Sequence, residues 1–144
     1  MIKFVQLTQD DLNTLGIGTS SFSNHSVKAI DDCNGEIVGY IVLEDIPFRL
    51  PIEVNDANKV KEYKQDFNSH QTFYLKNIFI LPKLRYSGNL ETMFMTMVEK
   101  LPEYSILWSK PSVANKEEYL MQLGGATNLP FHINDGILVF AKDF

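Results

Sequence analysis

The sequence predicts a mixed α/β (α+β) layered domain, and three observations carry that prediction. Short apolar stretches of strand character alternate with helix-type patterns along the chain. Asn34-Gly35 and Asn134-Asp135-Gly136 mark two hairpin turns. Leu90, Met93, Phe94, Met97, Val98 and Leu101 form one continuous stripe at helical spacing, the mark of a helix lying on a sheet. With 144 residues, 44% of them hydrophobic and 12% aromatic, the chain suits a single domain over 1–144 with one core.

In chain order, Ile2 to Leu7 alternates as a first strand. Thr8 followed by Asp11 is a capping-box helix start, with Leu12 and Leu15 on the apolar side. Gly16 to Ser26, rich in Gly, Ser and Thr, reads as a loop. Val27 to Asp31 and Glu36 to Ile46 read as two strands joined by a turn at Asp32 to Gly35. In the second, Ile37, Gly39, Ile41 and Leu43 form one side and Val38, Tyr40, Val42 and Ile46 the other. Both sides are mainly apolar, as in a strand covered on both faces.

Residues 47–71 read as an inserted loop and amphipathic helix, with Val60, Tyr63 and Phe67 at helical spacing. Thr72 to Leu81 is the next strand, followed by a proline-led loop and the striped helix. Ser105 to Lys110 is another strand. A helix is expected from Asn115, with Glu118 at its capping position and Gly124 and Gly125 at its end. Phe131 to Ile133 and Ile137 to Phe140 make the final hairpin.

Charge and composition narrow the function. A net charge of −5 argues against extended nucleic-acid contact, which requires a basic surface. Between Asn68 and Leu90 there is no acidic residue, while Lys76, Lys83 and Arg85 all fall there, a local positive island suited to a small polyanion. The single cysteine, Cys33, excludes an intrachain disulfide, and no Cys/His cluster has metal-ligand spacing. No apolar run is long enough to span a bilayer, so no membrane partner is expected and a cytoplasmic location is. A helix laid on a sheet by its stripe directs its N-terminal N–H groups beyond the end of the preceding strand, where an anionic ligand is well received.

The run Ile80-Leu81-Pro82, then Arg85-Tyr86-Ser87-Gly88-Asn89-Leu90, resembles the acyl-CoA-binding motif of the GCN5-related N-acetyltransferases. That motif is usually written Gln/Arg-x-x-Gly-x-Gly/Ala after a strand ending in a Val-x-Pro-like sequence. Its last position is Leu90 here, on the apolar stripe. The order of elements is similar too, so the resemblance covers most of the chain. It implies a mixed, mostly antiparallel central sheet with helices on both faces.

For function, it implies transfer of an acetyl group from acetyl-CoA to an unidentified amine by direct attack in a ternary complex. Backbone groups near Ile78, Phe79 and Ile80 would bind the pantetheine arm and thioester carbonyl. The loop of Arg85, Tyr86, Ser87, Gly88, Asn89 and Leu90 would hold the pyrophosphate. Asn115 would contact the cofactor arm, or act only as a helix cap. Tyr119 is the nearest candidate for the acid that protonates the departing thiolate. Glu44 and Asp45 are candidate bases by their position at a strand end, or simply solvated carboxylates. The alternative is a non-catalytic protein of the same fold that acts through binding. An oligomer is compatible with either.

Overall fold

The computed structural model describes residues 1–46, 71–103, 105–109 and 122–123, and the backbone of 131–134 and 137–142. Most of the 47–71 insertion, together with Asn115 and Tyr119, lies outside the described residues.

The elements follow the chain as β1 (Ile2–Gln6), α1 (Gln9–Leu15), β2 (Val27–Asp31), β3 (Ile37–Glu44), β4 (Gln71–Ile80), α2 (Leu90–Lys100), β5 (Ser105–Ser109), β6 (Phe131–Asn134) and β7 (Ile137–Lys142). They build one seven-stranded sheet in the order β1-β2-β3-β4-β5-β7-β6. Every pairing is antiparallel except β4 with β5, whose parallel register requires the crossover that α2 supplies.

Local signals account for both helices. Thr8 and Asp11 close a reciprocal capping box: the Asp11 N–H donates to Thr8 Oγ1 at 3.2 Å and the Thr8 N–H to Asp11 Oδ2 at 2.8 Å. The apolar stripe of α2 is buried as its spacing requires. Leu90, Met93, Phe94, Met97, Val98 and Leu101 all enter the main core cluster, packed on Val27, Ala29, Ile41, Leu43, Phe73, Leu75, Ile78, Ile80 and Leu107. On the opposite face Leu12 of α1 packs with Leu7 and Val42, beside Leu15 and Tyr40. The domain is therefore a mixed, mostly antiparallel sheet with a helix on each face.

Two irregularities interrupt the central strands, and the first breaks the period-2 reading of β3. In β3, Ala29 pairs with Gly39 but Ile30 with Ile37, so Val38 is an extra residue. Val38 accordingly joins Ile41 and Leu43 in the α2-side cluster, not Tyr40 and Val42 as strict alternation assigned it. In β4, Val42 pairs with Asn77 and Leu43 with Leu75, leaving Lys76 as the extra residue. The buried positions of β4 are thus Phe73 and Leu75 before the bulge and Ile78 and Ile80 after it. The bulge keeps both pairs on α2 although they are three residues apart.

Candidate active site

The site is built at the end of β4. Pairing with β5 runs from Gln71↔Ser105 to Tyr74↔Trp108, and Ser109 Oγ donates to the Leu75 carbonyl at 2.9 Å. Beyond this point β4 continues along β3 as far as Gly39↔Ile80, while among the described residues no strand pairs with 76–80 on the β5 side. The described pairing of the two parallel strands ends at the level of the bulge. Ile78, Phe79 and Ile80 lie on β4 beyond that last pair. Ile78 and Ile80 bury their side chains toward α2, and Phe79 turns to the other face, 36% exposed, with its ring 5.4 Å from Tyr40.

Gly39 holds this end of β4 close. A Cβ at Gly39 would stand 3.0 Å from the Phe79 carbonyl oxygen and 3.2 Å from Ile80 Cγ1. A residue read from sequence only as part of an alternating strand thus sets how near β3 comes to the candidate cofactor strand.

After Leu81, Pro82–Leu84 makes one helical turn and the chain then kinks. Gly88 takes φ 82°, a left-handed conformation that only glycine adopts without strain, and nothing lies within 4 Å of where its Cβ would be. The Ser87 hydroxyl donates to the Leu84 carbonyl at 2.9 Å and accepts from Asn89 Nδ2 at 2.8 Å. Ser87, in the loop expected to hold the pyrophosphate, spends its hydroxyl hydrogen on closing the turn, and Asn89 gives an amide hydrogen to the same purpose. Neither caps α2: among the described residues no side chain accepts from the helix's first N–H groups, and the turn from Tyr86 to Gly88 is exposed. Tyr86 is 77% exposed, with the Arg85 guanidinium carbon 5.3 Å from its ring centroid.

Leu90 is fully buried, so the departure from the family pattern at this position is absorbed by the core. Its backbone still begins the helix.

The electrostatics differ from the uniform positive island read from the sequence. Lys76 donates through Nζ to the Gly18 carbonyl and stands 3.9 Å from Glu44 Oε1, engaged well before the turn. Arg85 donates from Nε to Gln122 Oε1 at 3.0 Å, and Gln122 Nε2 donates to Glu91 Oε1 at 2.8 Å. Glu91 Oε2 is buried with no hydrogen-bond partner among the described residues. The acid-free stretch therefore ends in a carboxylate on the first turn of α2, bridged to Arg85 by a neutral amide. Sequence reasoning missed Gln122, since nothing in a linear reading links residues 85, 91 and 122.

The two carboxylates proposed as bases have different surroundings. Asp45 is exposed and borders a cleft of about 450 Å³ with Asn24, His25, Gln71, Thr72 and Phe73. Glu44 is 3% exposed, and its Oε2 accepts from the Ser20 N–H at 2.9 Å, the Ser20 hydroxyl at 2.9 Å and the Ser21 N–H at 3.3 Å. Burial alone would raise its carboxyl. The Ser20 and Ser21 hydrogen bonds and the Lys76 charge outweigh that and hold it below the usual carboxylate range.

Among the described residues no group of three or more His, Cys, Asp or Glu stands together to hold a metal, and no helix is long and apolar enough to cross a membrane.

No protein-family model and no curated protein matches this sequence. Solved structures do match its fold. Arabidopsis thaliana Naa50, determined with the bisubstrate analogue CoA-Ac-MVNAL, is similar over 99% of this chain and 99% of its own at a TM-score of 0.57, with 9% identity. Arylalkylamine N-acetyltransferase 2 from Aedes aegypti is similar over 97% of this chain and 96% of its own at 0.56, with 11% identity. A GNAT-family acetyltransferase from Staphylococcus aureus is similar over 99% of this chain and all of its own at 0.52, with 12% identity. On this likeness the chain has the fold of the GCN5-related N-acetyltransferases.

Proposed function

We propose that the protein is an acyl-CoA-dependent N-acyltransferase that moves an acetyl group from acetyl-CoA to an amine by direct attack in a ternary complex. The observation that carries this reading is the end of the described β4–β5 pairing at Tyr74 together with an exposed, glycine-kinked turn, free of a side-chain cap from Asn89, at the end of the same strand. An extended ligand arm ending in a pyrophosphate matches that pairing of features.

The residues present fit such a ligand. Gly88 is open on the side its Cβ would occupy, and the Leu90 side chain points into the core, away from the helix amides. Backbone groups of Ile78, Phe79 and Ile80 would hold the pantetheine arm and orient the thioester carbonyl. The turn from Arg85 to Leu90 would receive the pyrophosphate through its backbone, with Arg85 adding positive charge. Acetyl-CoA supplies an acetyl group activated as a thioester.

Asp45, exposed beside the cleft, is the better-placed of the two carboxylates to accept a proton from an incoming amine. Asn115 and Tyr119 remain the proposed arm contact and acid. We place the reaction in the cytoplasm, in one domain spanning 1–144.

One observation favours a binding-only protein of the same fold: the buried carboxylate at the end of β3, Glu44, is committed to Ser20, Ser21 and Lys76. Thermal unfolding with acetyl-CoA separates ligand binding from none. At about a hundred times its dissociation constant the ligand stabilises the fold by about 2.7 kcal/mol, a rise of several degrees for this size. Absence of any rise at millimolar acetyl-CoA sinks the reading. A screen of amines for release of CoA thiol then tells transfer from binding alone.

A further inference from the structure

The loop between α1 and β2 crosses the sheet at the level of the β4 bulge, and a pair of opposite charges, the buried Glu44 and the half-buried Lys76, ties it there. Glu44, from the end of β3, takes three donors from Ser20 and Ser21 on Oε2, and its Oε1 stands 3.9 Å from Lys76 Nζ. Lys76 is itself the extra residue of the bulge, and its ammonium donates to the Gly18 carbonyl. Backbone bonds carry the same attachment onward. The Asp45 N–H donates to the Ser21 carbonyl at 2.8 Å, the Ser23 N–H to the Leu43 carbonyl at 3.0 Å, and Phe22 forms a bridge with Glu44. The fully buried Ser26 accepts from the Leu43 N–H at 2.8 Å and donates to the Ser23 carbonyl at 2.8 Å.

We propose that Glu44 and Lys76 are positioning residues that clamp Gly18–Ser21 against the β4 bulge, making this segment a fixed wall of the amine-acceptor site. The acceptor part rests on the transferase reading above; the clamp stands on the contacts alone. The inference follows from where these groups meet. Lys76 is in the strand immediately before Ile78 to Ile80, so a segment held on Lys76 borders the place where the thioester is oriented. Its continuation, Asn24 and His25, lines the cleft that Asp45 borders. Fixing Ser20 and Ser21 therefore fixes one side of the approach from that cleft to the strand. A carboxylate with one oxygen held by two backbone N–H groups and a hydroxyl, and the other facing a lysine ammonium at 3.9 Å, is oriented toward the loop it ties down.

Hydrogen exchange of the intact chain tests the clamp without any activity. Glu44→Ala and Lys76→Met should each speed exchange at the Ser20 and Ser21 amides by about tenfold or more, the scale on which loss of a charged hydrogen-bond partner acts. Exchange in the core of α2 should keep its wild-type rate. Unchanged exchange at Ser20 and Ser21 in both variants would overturn the clamp. Where Glu44→Ala fails to fold, Lys76→Met and the milder Glu44→Gln carry the measurement, with Glu44→Gln giving the smaller acceleration.

Kinetics with an amine found in the screen test the acceptor wall. Glu44→Gln should raise KM for the amine several-fold, leave KM for acetyl-CoA and kcat near wild type, and keep the acidic limb of the pH–rate profile. Loss of that limb with a fall in kcat of about a hundredfold or more would make Glu44 a base and overturn its positioning role. Absence of transfer in the wild-type protein overturns the transferase reading and the acceptor wall with it, while exchange alone decides the clamp.

Discussion

Arg85 donates through Nε to the side-chain oxygen of Gln122 at 3.0 Å, which joins the candidate cofactor turn to the helical residues 122–123 behind it. Leu123, next in sequence, is fully buried in the α2 cluster, so the joint is anchored in the core. Gln122→Ala should cost about 1–3 kcal/mol, because it leaves the partly buried Glu91 carboxylate without its donor and Arg85 Nε without this acceptor. Urea unfolding measures it. Arg85→Ala should also weaken acetyl-CoA binding, by about tenfold for one lost charge-assisted contact, read by calorimetry. Unchanged affinity would remove Arg85 from the phosphate site.

Gly88 reaches φ 82° in open space, so any penalty for a side chain there is conformational, not steric. Gly88→Ala should destabilise the fold by about 1–2 kcal/mol, or relax the turn to avoid that cost. Either result should weaken acetyl-CoA binding, and parallel measurements of unfolding midpoint and affinity distinguish them.

The reverse situation holds at Gly39, where the obstacle is the neighbouring strand. A methyl group 3.0 Å from the Phe79 carbonyl oxygen must push β4 away from β3, and overpacking of this kind costs about 1–3 kcal/mol. Because Phe79 and Ile80 are the displaced residues, Gly39→Ala should reduce acetyl-CoA affinity although Gly39 is not proposed to touch the ligand. Wild-type affinity in a destabilised variant would separate the strand's position from cofactor binding.

Acid should loosen the fold through two particular carboxylates. Burial would raise the Asp11 carboxyl, but Lys28 Nζ at 2.7 Å and the Thr8 N–H and hydroxyl hold it below its ordinary value of 3.8; Glu44 lies below its ordinary 4.5 for the reasons given above. A carboxyl depressed in the folded state adds stability that is complete above its unfolded pKa and is lost as pH falls through the folded one. The stability advantage of wild type over Glu44→Gln should therefore be greatest near neutrality and shrink progressively below about pH 4.5, as chemical unfolding across that range would record. An advantage that grows toward acid would reverse the assignment.

What could be read from the sequence was what depends on neighbours along the chain. The capping box of Thr8 and Asp11 needs residues three apart, and the stripe from Leu90 to Leu101 needs only helical spacing; both have the predicted contacts. Leu90 belongs here as well, since its place on the stripe implied the burial that the structure shows. The hairpins over 27–44 and 131–142 followed from their turn residues. Strict alternation failed at Val38, and the bulge at Lys76 went unread, because a bulge responds to the register of the partner strand, which no local pattern encodes.

The sequence by itself determined the layered α/β class, the helix on the sheet and the glycine-bearing turn between them, because propensity, spacing and glycine's backbone freedom act over a few residues. Only the tertiary structure decided the uses of the charged and polar side chains. Glu44 meets Ser20 across 24 positions, Lys76 meets Gly18 across 58, and Arg85 meets Gln122 across 37. Side chains that form ion pairs and hydrogen bonds take partners by proximity in space. That proximity exists only once the sheet has assembled and α2 has closed over it.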